Sequence, residues 1–321
     1  MMQVNDMKNP IRNFPELCKS AMDYRTDLPE SYRNFNKIMI AGMGGSAISG
    51  NVIKDWLKPF SKIPIDVSKD FFLPNWIDDK TLLFFISFSG NTEETLKRFE
   101  QALDIEPKIV VITSGGKIGD YAKKMNIPTI EIPSEGMQPR DAFPFLFFPI
   151  VNCLDSLGSI GVDYTKIGEF LEENKDKCEE IAEHAAEKMV GTMPFIYGTS
   201  EAVCTRYKTQ INENAKMHAK SETYPEINHN EVVGWQGKSV GISVLFLRGI
   251  GENESTTKTM NFLRDLINKR ARVLEINAKG DNWLERAFYL IYIGDLISLF
   301  LAEKQGVERE RAEYIEKIKS L

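Results

Sequence analysis

The sequence predicts an α/β protein of two domains, each a parallel sheet flanked by helices. Three observations lead there: the length, an alternation of short apolar runs with helix-length segments, and the return of that alternation after a charged interruption. At 321 residues the chain is too long for one typical hydrophobic core. Its strand-like runs are β-branched and apolar on both sides, as strands covered on both faces must be. The expected domains are residues 1–155 and 156–321.

In the first domain, 37–41 (KIMIA), 63–67, 81–86, 108–112 and 128–132 read as strands. Between most of them, 47–57, 92–103 and 118–125 have the length and polarity of helices, and 141–157 reads as a closing helix. A charge-rich helix over 166–189 opens the second domain. After it 195–197, 241–247 and 272–276 read as strands, and 201–218 and 254–269 as helices. A long apolar helix over 282–302 and a charged tail helix over 309–319 complete the chain. The halves echo each other: Ile38-Met39-Ile40-Ala41-Gly42 runs into Ser46 as Phe195-Ile196-Tyr197-Gly198 runs into Thr199 and Ser200. A strand ending at glycine, with hydroxyls starting a helix, recurs in both, which suggests a duplication.

Composition removes several function classes. The chain is 42% apolar and 27% charged, ordinary for a soluble globular protein. A net charge of -6 argues against nucleic acid, whose backbone demands a basic face. Cys18, Cys153, Cys178 and Cys204 lie far apart with no C-x-x-C pair, which fits a reducing cytoplasm rather than a disulfide or zinc framework. The opening segment is polar and proline-broken, so no signal peptide is expected. Segment 142–154 contains Pro144 and Pro149, and 287–302 is interrupted by Gly294 and Asp295. Both fall short of the roughly 20 apolar residues that cross a bilayer. No membrane partner is expected. No His/Asp/Glu cluster has ligand spacing, so no metal is expected either.

The most informative stretch is Ser87-Phe88-Ser89-Gly90-Asn91-Thr92-Glu93-Glu94-Thr95, which leaves the apolar run 81–86 and enters a helical pattern. Hydroxyls and free backbone N–H groups at a helix N-terminus form a neutral anion trap, and a phosphate group is the expected guest. The plainer reading is a capping turn built by Asn91 and Glu94, but a cap needs one hydroxyl and this loop offers four. A second loop, Gly42-Met43-Gly44-Gly45-Ser46-Ala47, also follows a strand and opens a helix. Read literally it satisfies G-x-G-x-x-A, and Asp66 at the end of the next strand suits a ribose contact, so a nucleotide-dependent dehydrogenase competes. Two such loops converging at strand ends suit a single phosphate better.

These residues resemble a known family. Ala41-Gly42-Met43-Gly44-Gly45-Ser46 together with Ser87-x-Ser89-Gly90-x-Thr92-x-Glu94-Thr95 resembles the sugar isomerase (SIS) fold. Gly136-Met137-Gln138-Pro139-Arg140, Asn212-Glu213-Asn214-Ala215-Lys216 and 225–234, with its Asn228-His229-Asn230-Glu231, are similar to the bifunctional phosphoglucose/phosphomannose isomerases. The resemblance covers about residues 38–302. It implies two SIS domains, a cytoplasmic homodimer acting on hexose 6-phosphates, and aldose–ketose isomerisation without a cofactor. It places phosphate contacts on Gly45, Ser46, Ser87, Ser89 and Thr92, the base on Glu213, the oxyanion-stabilising arginine on Arg140, and the ring-opening histidine, brought from the neighbouring subunit, on His229. A C-terminal lysine that assists ring opening falls on Lys319, with Lys317 as the other choice. There the chain departs from the family's proline-bearing pattern and reads Val307-Glu308-Arg309-Glu310-Arg311-Ala312-Glu313.

The residue types suit that chemistry by themselves. Isomerisation needs a base that moves a proton between adjacent carbons, a group that steadies the enediolate, and an acid/base pair to open the ring. Glu213 falls beside the apolar stripe of Val203, Tyr207 and Ile211, where it reaches a cleft or stays a solvated neighbour of Lys216. His229, in a polar loop, is a titratable group near working pH or a turn histidine. His184 reads as surface and His218 as a helix cap. Arg140 sits on a loop braced by Pro133, Gly136 and Pro139, facing either an enediolate or a neighbouring Asp141 or Glu135. A non-catalytic SIS-type sugar-phosphate sensor remains the alternative; it would leave Glu213 and His229 unexplained.

Overall fold

The apolar runs pair in parallel throughout the computed structural model, which describes residues 9–161 and 163–319. The chain divides into two units, Met1–Glu169 and Phe170–Leu321.

In the first unit β1 (Lys37–Ala41), β2 (Ile65–Ser68), β3 (Thr81–Ser87), β4 (Lys108–Thr113) and β5 (Thr129–Glu131) form one sheet ordered β2-β1-β3-β4-β5. Every residue of β3 is buried, which is why its sequence shows no polar alternation. The unit's helices are α1 (Phe14–Ala21), α2 (Gly44–Leu57), α3 (Glu93–Ile105), α4 (Gly116–Lys124) and α5 (Phe143–Ser156). α5 is buried from Phe143 through Leu154 and packs on α1 and α2. Its phenylalanines meet Phe14 and Trp56 in ring contacts of 6.3 and 6.4 Å.

α6 (Ile167–Glu173) and α7 (Lys175–Met189) divide at Asn174, where the sequence suggested one helix. The Asn174 backbone N–H donates to the Leu171 carbonyl at 3.2 Å and its side-chain amide to the Phe170 carbonyl at 2.7 Å. Those bonds satisfy the last carbonyls of α6 and end it. The second unit holds β6 (Met193–Gly198), β7 (Lys220–Thr223), β8 (Ile242–Arg248) and β9 (Arg272–Asn277), ordered β7-β6-β8-β9. Its other helices are α8 (Glu201–Ala215), α9 (Glu231–Gly234), α10 (Glu254–Ile267), α11 (Trp283–Gln305) and α12 (Glu313–Lys319). The first strand lies between the second and third in both sheets, so the two units share a topology.

Three further expectations change. β7 (KSET) was not foreseen, because a half-buried edge strand of polar residues has no hydrophobic period. α8 stops at Ala215 rather than 218, since Lys216 turns left-handed (φ 54°) and Gln305 donates to the Ala215 carbonyl at 2.8 Å. Asp66 is not at a strand end: β2 runs on to Ser68, and Asp66 pairs with Lys54 at 2.7 Å. The dehydrogenase reading loses its ribose contact there. No helix among the described residues is long and apolar enough to cross a membrane.

The interruption at Gly294-Asp295 turns out to join α8 to α11. Arg206 donates to both Asp295 oxygens, at 3.1 and 2.6 Å, and Gln210 adds a bond of 2.9 Å. Both charged side chains are almost fully buried. A Cβ on Gly294 would stand 2.5 Å from the Tyr207 ring. Replacing Asp295 with Ala strands a buried guanidinium, so denaturant unfolding should show a loss of about 3–5 kcal/mol. Gly294→Ala should cost about 1–3 kcal/mol by overpacking in the same measurement.

Candidate active site

In a sheet ordered β2-β1-β3 the connections leave β1 and β3 in opposite directions, which opens a crevice at their carboxyl ends. The glycine loop after β1 and the Ser/Thr loop after β3 meet there. Ser46 and Ser87 are buried, Gly45 and Thr92 half-buried, and Ser89 exposed. The Ser87 and Thr92 hydroxyls lie 3.0 Å apart, and the Asn91 N–H donates to Ser89 Oγ at 3.3 Å. Among the described residues no side chain caps the N-terminus of α2 or of α3. Both helices therefore present first-turn N–H groups and positive dipole ends at one edge.

The glycines set how closely these loops approach. A Cβ on Gly42 would stand 3.2 Å from the Ile86 carbonyl oxygen, one residue before Ser87. One on Gly45 would stand 3.0 Å from the Pro139 carbonyl oxygen and 3.3 Å from Arg140 Cα. A Cβ at either position would press the facing backbone by a few tenths of an ångström, so glycine lets these segments lie this close. This brings Gly45, Ser46, Ser87, Thr92 and the backbone of Arg140 into one neighbourhood. Arg140 is 4% exposed. Its loop is braced by Asp141, whose carboxylate accepts the Gln138 N–H at 3.1 Å and whose own N–H donates to the Gln138 carbonyl at 2.8 Å.

The corresponding loops of the second unit are filled by their own side chains. Ser200 Oγ accepts the Val203 N–H at 3.3 Å and caps α8; Asn253 Oδ1 accepts the Thr256 N–H at 2.8 Å and caps α10. Thr199 Oγ1 donates to the Ile250 carbonyl. The Glu252 carboxylate lies in the turn after β8, accepting the Gly249 N–H at 2.5 Å, the Thr257 hydroxyl at 3.2 Å and the Arg248 guanidinium at 3.0 Å. An internal carboxylate thus sits where the first unit offers uncapped donors. The sequence echo between Gly42…Ser46 and Gly198…Ser200 is real in topology and does not extend to this chemistry.

Glu213 is half-buried near the end of α8. Its neighbours hold the backbone around it. Asn212 donates to the Met217 carbonyl at 2.6 Å, buried Asn214 to Ser298 Oγ at 2.8 Å, and Lys216 Nζ to the Glu213 and Arg309 carbonyls at 2.5 and 3.1 Å. His229 is exposed and follows the short 3-10 turn Glu226–Asn228 beyond the carboxyl end of β7. α8 begins past the carboxyl end of β6, and its 15 residues run back about 22 Å to the amino end of β7. Glu213 therefore lies near the amino end of β7, whereas the loop that carries His229 leaves the carboxyl end of that strand. Lys317 is exposed and paired with Glu313 at 2.6 Å. The side chain of Lys319 lies outside the described residues.

Sequence reasoning passed over the groups that anchor the His229 loop. Buried Tyr197 donates to Glu231 at 2.7 Å and accepts from the Trp235 indole at 3.1 Å, and Lys220 pairs with the other Glu231 oxygen. The N-H-N-E motif contained Glu231, but nothing local marks Tyr197 and Trp235 as its partners.

Burial pushes the Glu252 carboxyl up, but the Arg248 hydrogen bonds and the Gly249 N–H prevail and hold it below its ordinary value of 4.5. Its stabilisation is therefore complete above that value and is lost as pH falls through the lower folded value. Thermal melts between about pH 5 and about pH 3 should show a steeper fall for the wild type than for Glu252→Gln.

Comparison with known proteins agrees with the fold. Residues 31–139 match the SIS domain family model, and 178–321 match that of the bacterial phospho-glucose isomerase C-terminal SIS domain. The chain is 34% identical over 315 residues to a bifunctional phosphoglucose/phosphomannose isomerase of Caldicellulosiruptor bescii, covering 92% of this chain and 93% of that one. It is 33% identical over 321 residues to one of Thermoplasma acidophilum, covering 98% of each. Among solved structures, a hypothetical protein from Thermus thermophilus shares the fold, with a TM-score of 0.76 at 14% identity over 98% of this chain and 90% of that one. By its sequence over nearly its whole length, the chain belongs to the bifunctional phosphoglucose/phosphomannose isomerase family.

Proposed function

We propose that this chain interconverts fructose 6-phosphate with glucose 6-phosphate and mannose 6-phosphate through a cis-enediolate. The observation that carries the reading is the pair of uncapped helix N-termini flanking the Ser87–Thr92 hydroxyl pair at the β1/β3 crevice. Such a site holds one phosphate and leaves the rest of a small substrate free to react. The names of relatives that match more than nine-tenths of the chain supply the substrate class.

In this reading Gly45, Ser46, Ser87, Ser89 and Thr92 bind the phosphate, so the sugar is anchored away from its reacting carbons. His229 and a tail lysine, Lys319 or Lys317, open the ring. Glu213 then carries a proton between C1 and C2 while the permanent cation of Arg140 steadies the negative oxygen. Rotation about C2–C3 offers either face of the enediolate to the one base, which yields both epimers. Residues 1–155 supply the phosphate loops, and 156–321 the base and the histidine loop. As the family resemblance implies, each site takes its histidine from a second copy in a homodimer. The setting is the cytoplasm, in keeping with four buried free cysteines.

Incubating the purified protein with fructose 6-phosphate and resolving the hexose phosphates should show glucose and mannose 6-phosphates both rising. Binding without turnover would turn the reading into that of a sensor. Glu213→Gln should bind the substrate normally and lose about a thousandfold in kcat; near-normal turnover removes Glu213 as the base. Refolding equal amounts of Glu213→Gln and His229→Ala together should restore about a quarter of wild-type activity, since half the dimers then carry one intact site. No recovery would place both residues in a site built by one chain.

A further inference from the structure

Among the described residues, buried Arg206 is paired with Asp295, Arg248 with Glu252 and Glu275, and Arg309 with Glu310. Arg98, in α3 and 0% exposed, differs. Among the described residues no carboxylate touches it, and Glu94 and Asp70 act on it only at longer range. Its Nη1 donates to the Ser68 carbonyl at 2.5 Å and to Ser68 Oγ at 2.8 Å, and its Nε to the Glu94 carbonyl at 3.1 Å. Nη2 is buried and has no hydrogen-bond partner among the described residues.

Its bonds lead to both anion loops. The Ser68 carbonyl also accepts the Gly42 N–H, at 3.2 Å, and Glu94 lies in the first turn of the helix that follows Thr92. Six residues of helix separate Thr92 from Arg98, a rise of about 9 Å. Burial lowers its pKa to about 10, so it stays charged at neutral pH. Glu94 and Asp70 attract this buried cation without touching it, and a buried charge acts over such a distance with little screening by salt. The side chains assigned to the phosphate, Ser46, Ser87, Ser89 and Thr92, are all neutral.

We propose that Arg98 is a positioning residue whose buried charge, without touching the ligand, provides the counter-charge for the phosphate dianion held by the β1 and β3 loops. This rests on reading those loops as the phosphate site. Arg98 sets affinity for the phosphate and takes no part in proton transfer.

The test is calorimetric binding of inorganic phosphate to the full chain, beside steady-state kinetics with fructose 6-phosphate. Arg98→Gln should raise the phosphate Kd and the KM about tenfold with kcat within about twofold, and Arg98→Lys should come within about threefold of wild type. Ser68→Asp places a carboxylate beside the guanidinium; it should keep the fold and weaken phosphate binding about tenfold. That variant decides the matter even if Arg98→Gln does not fold. Wild-type phosphate affinity in Ser68→Asp or in folded Arg98→Gln overturns the proposal, as does an equal loss in Arg98→Lys and Arg98→Gln. A wild-type protein that binds phosphate but does not isomerise the sugar refutes the isomerase reading alone. One whose phosphate binding is absent, or survives Thr92→Val, refutes the loops as the site and the proposal with them.

Discussion

Both sheets are wholly parallel, and the rest of the architecture follows from that ladder. A parallel strand cannot be followed directly by its neighbour, so each connection crosses a face and covers it with a helix. All strand exits then lie along one edge of the sheet. With the first strand inside the order, two exits diverge and leave a crevice that no side chain has to be removed to create. The loops after β1 and β3 are placed by topology before any functional residue is specified.

What fills the crevice separates the two units. In the first, glycines let three stretches of backbone approach to contact, and the helices behind them begin uncapped. In the second, Ser200, Asn253 and Glu252 satisfy the same kind of donor internally. An orphaned first turn costs stability when empty, and an external anion removes that cost. The first unit accepts this cost at its functional edge, while the second uses the equivalent positions for its own stability. The buried charges divide similarly: Arg206 and Arg248 have internal counter-ions, whereas among the described residues Arg98 is held by carbonyls and a hydroxyl.

Much of this was legible residue by residue. The runs KIMIA, TLLFFIS and KIVVIT are apolar on both faces, which only a doubly covered strand needs, so the first sheet could be read almost to its ends. Ser87 through Thr92 carried more hydroxyls than a cap requires. The helix break at Asn174 and the strand KSET were not legible. A polar side chain that ends a helix looks like one on its surface, and an edge strand gains its order from hydrogen bonds to β6 rather than from its own pattern. Asp66 failed for a related reason: continued pairing with β1 carried the strand end on to Ser68.

By itself the sequence determined the fold class, the loops that end at glycine and hydroxyls, and the residue types able to do the chemistry. These depend on local period and composition. The tertiary structure decided the sheet order that puts the β1 and β3 exits side by side, and the pairing of Glu231, beside His229, with Tyr197 and Lys220. It also decided that Asp295 serves as the counter-ion of Arg206, while among the described residues no carboxylate touches Arg98. Each of those depends on which distant segment lies within a few ångströms, and no periodicity along the chain encodes that distance.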